Sequence, residues 1–378
     1  MSKIRLGMVG GGNDAFIGGV HRIASRIDDR YELVAGALSS TAEKSAASAK
    51  DLGIPRSYGS FDEMAAVESS LDDGIEAVAI VTPNHVHYPA AKAFLDKGIH
   101  VICDKPLTAT MEDATAMEQA VSDSSALFVL THNYTGYPMI RQARSMVESG
   151  EIGIVRVIQA EYPQDWLTTN LENEGLKQAE WRTDPKRSGA GGSVGDIGTH
   201  AHNLACFVTG LKAESLAADL QAFGKGRTLD DNAHIMIRYS GGARGMIWSS
   251  QVAPGNENAL RLRVYGDKGG LEWSQEDPNY LWFTPHGEPK RLITRSGSGS
   301  NEAAGAVTRI PPGHPEGYLE GFANLYSEAA DAIRAVQNGS SREQAMGLLP
   351  GITEGLAGMS FINACVNSSE KNSAWINL

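Results

Sequence analysis

Apolar and polar positions change rhythm once along the 378-residue chain, near residue 131. Before that point, short apolar runs alternate with amphipathic stretches. Ile4–Val9, Tyr31–Leu38, Ile75–Val81, His100–Cys103 and Leu127–Leu130 predict strands, and Ser57-Tyr58 a short extended piece. Ile17–Ile27, Thr41–Leu52, Phe61–Ser69, Pro89–Lys97 and Met111–Ser122 predict the helices between them. This alternation is the pattern of a parallel sheet covered on both faces. Beyond Thr131 a helix over Tyr137–Ser149 leads to strands at Val155–Tyr162, Leu216–Phe223, His234–Tyr239, Gly245–Ser250 and Leu260–Tyr265, with few helices between them. Gly317–Val336 and Gln344–Val366 predict two closing helices, the first with Leu319, Phe322, Ala323 and Tyr326 in helical spacing. Ser296-Gly-Ser-Gly-Ser300 predicts a flexible loop. The expectation is an α/β domain over residues 1–131, followed by an α+β domain over 132–378 whose large sheet is mostly antiparallel.

Composition narrows the partners. The apolar fraction of 42% and charged fraction of 21% belong to an ordinary globular protein, and 42 Gly against 15 Pro implies tight turns and no low-complexity coil. The net charge of −12 repels phosphate backbones and anionic lipid, so neither nucleic acid nor a membrane surface is expected as a partner. Cys103, Cys206 and Cys365 lie far apart without a CxxC pair, which argues against a disulfide framework and a structural zinc site. The longest apolar runs are strand-sized and the first residues enter a strand pattern directly, so a soluble cytoplasmic protein is expected.

The first strand ends in Gly10-Gly11-Gly12 and a helix follows. A dinucleotide turn needs this arrangement: Gly10 allows the tight turn, Gly12 lets the backbone approach a pyrophosphate, and the helix start supplies the anion site. Ala15 or Gly18 takes the third small position. Where NAD enzymes place an acidic residue for the ribose, this chain has Leu38-Ser39-Ser40 and no carboxylate before Glu43. Arg22 and Lys44 are the cations within reach of a 2′-phosphate; the balance favours NAD, with NADP open.

Three further signatures follow in order: Val81-Thr-Pro-Asn-His-Val-His87, Cys103-Asp-Lys-Pro106 and Gly195-Asp-Ile-Gly-Thr-His200. With the glycine turn they resemble the Gfo/Idh/MocA family of glucose-fructose oxidoreductases and inositol dehydrogenases, over essentially the whole chain. The resemblance implies an N-terminal Rossmann domain and a catalytic set of Lys105, Asp196 and His200. Asp104 stands where the family usually has Glu. Implied cofactor contacts are Gly10, Gly12, Asn13, Phe16 and Ile17, then Ser39, Ser40 and Lys44, then Thr82, Pro83, Asn84 and His87, and finally Asp104, Lys105 and Asn133. The stretches Thr131–Tyr137, Gln164–Leu167, Trp181–Pro185 and Gly313–Tyr318 look most like a branch acting on cyclitols and pyranose sugars, including scyllo-inositol dehydrogenases that also accept glucose. A homo-oligomer, a tetramer, is implied as well.

Oxidising a secondary alcohol needs a base near neutral pKa and a group that stabilises developing alkoxide charge. His200 suits the first task. Asp196 precedes it by four residues, one turn of an ordinary helix, although such a pair taken alone is often only a helix-surface contact. Lys105, at the carboxyl end of a parallel strand, suits the second task. Tyr134, Gln164, Asp165, Trp166 and Arg182, with Asn133, offer the donors, acceptors and flat apolar surface that a sugar needs. His314 is expected to complete a pocket, its own or that of a neighbouring subunit. The expected activity is NAD-dependent oxidation of a neutral cyclitol or pyranose sugar to ketone or lactone. An NAD-dependent glycoside hydrolase using transient redox and a non-catalytic sugar or nucleotide sensor are the rivals.

Overall fold

The structure, a computed structural model, describes residues 2–13 and 15–378. The chain divides into two compact units, Met1–Asn133 with Phe322–Ala357, and Tyr134–Gly321 with Gly358–Leu378.

In the first unit β1 (Ile4–Gly10), α1 (Phe16–Ile27), β2 (Tyr31–Ala37), α2 (Ala42–Leu52), β3 (Arg56–Ser57), α3 (Phe61–Glu68), β4 (Ala77–Val81), α4 (His87–Leu95), β5 (His100–Cys103), α5 (Met111–Asp123) and β6 (Phe128–Leu130) succeed one another. The six strands pair in parallel in the order β3-β2-β1-β4-β5-β6, so the order reverses between β1 and β4. That is the doubly wound Rossmann arrangement, which binds ligands outside the carboxyl ends of the strands at the reversal. Every residue of Ala77–Val81 is buried, as expected of a strand covered on both faces. The helices start where side chains satisfy their first amides: Thr41 accepts from Lys44, Ser60 from Glu63 and Thr110 from Asp113.

The second unit opens with α6 (Pro138–Glu148) and β7 (Val155–Pro163). Short helices α7 (Lys177–Arg182) and α8 (Pro185–Ser188) precede α9 (Thr199–Thr209). Then come β8 (Ala213–Gln221), β9 (Asn232–Tyr239), β10 (Arg244–Ser250), β11 (Arg261–Gly266), β12 (Gly269–Ser274), β13 (Tyr280–Pro285), β14 (Arg291–Thr294) and α10 (Glu302–Gly305). The chain closes with α11 (Tyr318–Gln337), α12 (Arg342–Met346), α13 (Ile352–Glu370) and β15 (Ile376–Asn377). The nine-stranded sheet runs β14-β13-β12-β11-β7-β10-β9-β8-β15, with β7 and β10 parallel and the other pairs antiparallel. In β9, Ala233, Ile235, Ile237 and Tyr239 are buried while His234, Met236 and Arg238 are exposed, the alternation of a sheet with one packed face. Helices α6 and α9 contact the sheet.

Three details depart from expectation. Residues 322–357 return to the first unit instead of staying with everything after 131. The ties are specific: the Tyr31 hydroxyl donates to the Tyr326 carbonyl at 2.8 Å, Arg334 meets Glu76 at 2.6 Å, and the amide of Leu130 on edge strand β6 donates to the Pro350 carbonyl at 2.9 Å. The second closing helix is broken into α12 and α13, because Gly347 takes a φ of +52° and Pro350 stands in the gap. The Ser296–Ser300 loop is pinned, since Gln142 donates to the Gly299 carbonyl at 3.1 Å and accepts from the Asn301 amide at 2.7 Å. Among the described residues no helix is long and apolar enough to cross a membrane.

Candidate functional site

In the first unit the turn after β1 is written in backbone. Gly10 and Gly11 hold φ of +78° and +71°, a region that L side chains rarely enter. A Cβ on Gly12 would stand 2.8 Å from Ser48 Oγ and 2.9 Å from the Leu38 carbonyl. A Cβ on Gly18 would stand 2.3 Å from Gly11 Cα, so Gly18 is the small residue that lets α1 lie against the turn. Ala15 precedes α1 and supplies no side-chain cap to its first amides. Phe16, in the first turn, is 69% exposed. Asn13 is held beside the turn, its side chain donating to Asp51 at 2.7 Å.

At the next strand ends, Gly10 packs against Val81 and Thr82, and His87 faces the Thr82 carbonyl at 3.0 Å and the Pro106 carbonyl at 2.8 Å. His87 thus ties the loop after β4 to the loop carrying Lys105, and burial holds its pKa below the usual value. Asp104 accepts from the Lys105 amide at 2.9 Å and the Thr131 hydroxyl at 3.1 Å, a structural task that the shorter carboxylate performs. Ser39 is half-buried, and Ser40 and Lys44 are exposed. Arg22 donates to the Gly11 carbonyl and is therefore engaged with the turn itself, which removes one of the two cations considered for a 2′-phosphate.

These residues fit a dinucleotide. Thr82 Oγ1 and Asn133 Nδ2 are buried without a hydrogen-bond partner, an arrangement that costs free energy unless a bound group supplies one. The uncapped start of α1 leaves amides for an anion, and Phe16 offers an exposed apolar face.

In the second unit the predicted pair is set on unusual backbone. Val194–Gly198 forms a π-helical turn that runs straight into α9, so Asp196 and His200 are not related by an ordinary helical turn as expected. The Asp230 carboxylate anchors the entry, accepting from the amides of Gly192 at 2.7 Å and Val194 at 2.9 Å. Burial pushes the Asp230 carboxyl up to about 6 despite those amides. Asp196 Oδ2 accepts from Gln251 Nε2 at 2.9 Å and from Arg182 Nε at 3.2 Å, and Arg182 lies over the Trp181 ring at 4.3 Å. Arg182, expected to contact substrate, here orients the carboxylate.

His200 is 8% exposed and sits against two tyrosines. The Tyr134 ring meets it edge-on at 4.9 Å, and Tyr162 lies at 6.2 Å. Burial pushes the Tyr134 hydroxyl up to about 12 and Tyr162 further in the same direction, with the Asp196 charge adding to both. The two hydroxyls are hydrogen-bonded to each other, and Tyr162 continues to Asn258 at 2.8 Å. Gln164 and Trp166 join the same network. Asp165 accepts from the Gly255 amide at 3.2 Å. His314 enters none of these contacts; it is exposed on a loop whose backbone carbonyl receives Arg295. Tyr162, Gln251, Asn258 and Asp230 were not expected: each comes from a strand end or loop with no motif spacing to mark it.

Known proteins resemble this chain over its whole length. Residues 4–132 match the oxidoreductase family with an NAD-binding Rossmann fold, and residues 140–272 match the Gfo/Idh/MocA C-terminal domain. A solved oxidoreductase from Sinorhizobium meliloti is 61% identical, with all of each chain covered and a TM-score of 0.89. An inositol dehydrogenase homologue from Azotobacter vinelandii, solved with NADH and myo-inositol, is 32% identical over 100% of this chain and 98% of its own, with a TM-score of 0.92. A levoglucosan dehydrogenase solved with NADH and levoglucosan is 26% identical over 100% of this chain and 99% of its own, with a TM-score of 0.85. The chain belongs to the Gfo/Idh/MocA oxidoreductases and carries their NAD-binding Rossmann domain.

Proposed function

We propose that the protein oxidises a ring hydroxyl of a neutral cyclitol or pyranose sugar to ketone or lactone, with NAD as cofactor. The observation that carries this reading is the nearly buried imidazole of His200 walled by two tyrosines, four residues after the Asp196 carboxylate that Arg182 and Gln251 orient. Such a site offers a ring polyol hydrogen bonds and aromatic surface. The myo-inositol and levoglucosan bound by the two dehydrogenases above support the substrate class.

In the first unit Gly10, Gly12, Asn13, Phe16, Ile17, Ser39, Ser40 and Lys44 would hold the nucleotide end of the cofactor. Thr82, Pro83, Asn84, His87, Asp104, Lys105 and Asn133 would hold the rest. NAD, when bound, supplies the acceptor for the two electrons and hydrogen leaving the carbinol carbon. His200 takes the hydroxyl proton, Asp196 orients a substrate hydroxyl or the imidazole, and Lys105 stabilises developing negative charge on oxygen. We assign the enzyme to the cytoplasm and to a homotetramer. The exposed Val157, Met236 and Met246 on the outer side of the nine-stranded sheet support assembly, and light scattering would measure it.

The test is growth of NADH absorbance with a panel of inositols and aldoses. Turnover of at least one is expected, and His200→Ala lowers its rate by about 10²–10⁴, the usual worth of general acid–base catalysis, with cofactor affinity kept. No turnover with either NAD or NADP would overturn the reading. Release of an aglycone without net NADH would favour the hydrolase, and binding without turnover the sensor.

A further inference from the structure

The hydrogen bonds behind Tyr134 have a fixed direction. Trp166 Nε1 donates to Gln164 Oε1 at 3.1 Å, and an indole nitrogen has no other role open to it. Which end of a side-chain amide is oxygen is ordinarily a matter of assignment. Here the indole decides it, because Gln164 then presents its NH2 group to Asn258, at 2.6 Å. The Asn258 atom at that contact is therefore oxygen, and the same oxygen receives the Tyr162 hydroxyl at 2.8 Å. The other end of Asn258 donates to Gln275 Oε1 at 3.3 Å, consistent with that orientation. An amide oxygen only accepts, so the single Tyr162 proton is committed to Asn258. In the bond between the two tyrosines, Tyr134 must then be the donor. Its one proton is engaged, and its oxygen keeps lone-pair capacity beside the His200 ring.

We propose that Trp166, Gln164, Asn258 and Tyr162 act as positioning residues that hold Tyr134 as a hydrogen-bond acceptor alone, so that the ligand group meeting its oxygen is a hydroxyl that donates. The inference rests on the reading that this unit binds a ring polyol. An alcohol can donate to Tyr134; a ring ketone, a carboxylate or a carbon-bound fluorine cannot. The network thus selects the oxidation level of a ring position without a charged group. It is also a dead end for protons, since a chain terminating on an amide oxygen cannot pass one onward.

The experiment measures, by calorimetry with NADH present, the affinity of the purified enzyme for the best-bound polyol and for its single-fluorine analogues. In the wild type, fluorine at one ring position weakens binding about tenfold, the consequence of one buried acceptor left unpaired. Tyr134→Phe abolishes that penalty and so identifies the position. Tyr162→Phe frees the Tyr134 proton to turn toward the ligand and lowers the penalty at the same position to about threefold or less, with the other positions unmoved. Asn258→Ala, which removes the terminal acceptor, does the same and serves where Tyr162→Phe does not fold. A penalty of wild-type size in every folded variant of Tyr162 and Asn258, or no position that responds to Tyr134→Phe, overturns the inference. Failure to bind any polyol instead overturns the proposed function, and this inference with it.

Discussion

In the first unit the dinucleotide turn is built from what is missing: side chains absent at Gly10, Gly11, Gly12 and Gly18 leave room for the backbone to take positive φ and for α1 to close on the turn. In the second unit the site is built from side chains that hold one another, Arg182 and Gln251 on Asp196, and Trp166 through Asn258 and Tyr162 on Tyr134. The first kind of site tolerates no addition, and the second no subtraction. The glycines of the first lie close together in sequence, whereas the second joins groups such as Tyr162 and Asn258 that are 96 residues apart.

The sharpest test of this contrast adds one methyl group. Gly18→Ala places a Cβ on the Gly11 backbone, which has nowhere to move, and is expected to lower NADH affinity by about a hundredfold or to prevent folding of the unit, because overpacking against rigid backbone costs roughly 1–3 kcal/mol or more. Gly19→Ala, one residue along the same helix, finds its nearest neighbour at 3.9 Å and should bind NADH like the wild type. Fluorescence titration of the pair decides it; equal affinities would remove the steric account of the turn.

Subtraction comes next. Arg182→Ala removes one donor from Asp196 and leaves Gln251 in place. Catalytic efficiency on the best polyol is expected to drop about tenfold or more, in line with the roughly 1.5–3 kcal/mol of a hydrogen bond to a charged group, while NADH affinity stays put. Steady-state kinetics beside an NADH titration separates the two; a parallel loss of NADH binding would contradict the division of tasks.

The smallest effect concerns acid. Burial holds His21 and His100 at about 4 and lowers His87, all in the first unit. The second unit has His202, also at about 4, opposed by Asp230, raised to about 6. A buried histidine held at about 4 binds fewer protons folded than unfolded between about pH 4 and 6.5, so its contribution is complete above 6.5 and lost as pH falls, at about 1.4 kcal/mol per pH unit, and His87 acts in the same direction. A carboxyl with a raised pKa works the other way over about pH 4 to 6. The three imidazoles of the first unit therefore add, while the pair in the second largely cancels. Hydrogen exchange at pH 7 and pH 5, read by mass spectrometry, should show the first unit loosening first; the reverse order would refute it.

This contrast also explains what could be read in advance. The six parallel strands and the glycine turn follow local pattern and are found where it predicts them, while Lys105, Asp196 and His200 come from motifs, with Asp196 on a π-turn where an ordinary helical turn is expected. Strands β12, β13, β14 and β15 went unpredicted. In β13 exposed Tyr280 and Trp282 alternate with buried Leu281 and Phe283, a pattern that becomes a strand only when its neighbours pair with it. The π-turn under Asp196 and the roles of Gln251, Tyr162 and Asn258 depend on partners brought together by the sheet, which no spacing rule encodes. Arg22 and Arg182 look like ligand-binding cations in sequence because a guanidinium's destination is tertiary information; one ends on a carbonyl and the other on a carboxylate.

His21, on the first helix of the chain, shares its hydrogen bond with Tyr326, 305 residues later. During synthesis at about 5–20 residues per second, that partner emerges on the order of 15–60 s after the histidine. The nucleotide half is therefore begun before the second unit and completed only after most of it, and its helix α1 waits through the synthesis of 305 residues with an unpartnered imidazole facing what will become its core. A premature stop just before α11 would leave the opening Rossmann strands intact in sequence and still deprive them of the residues that finish their packing.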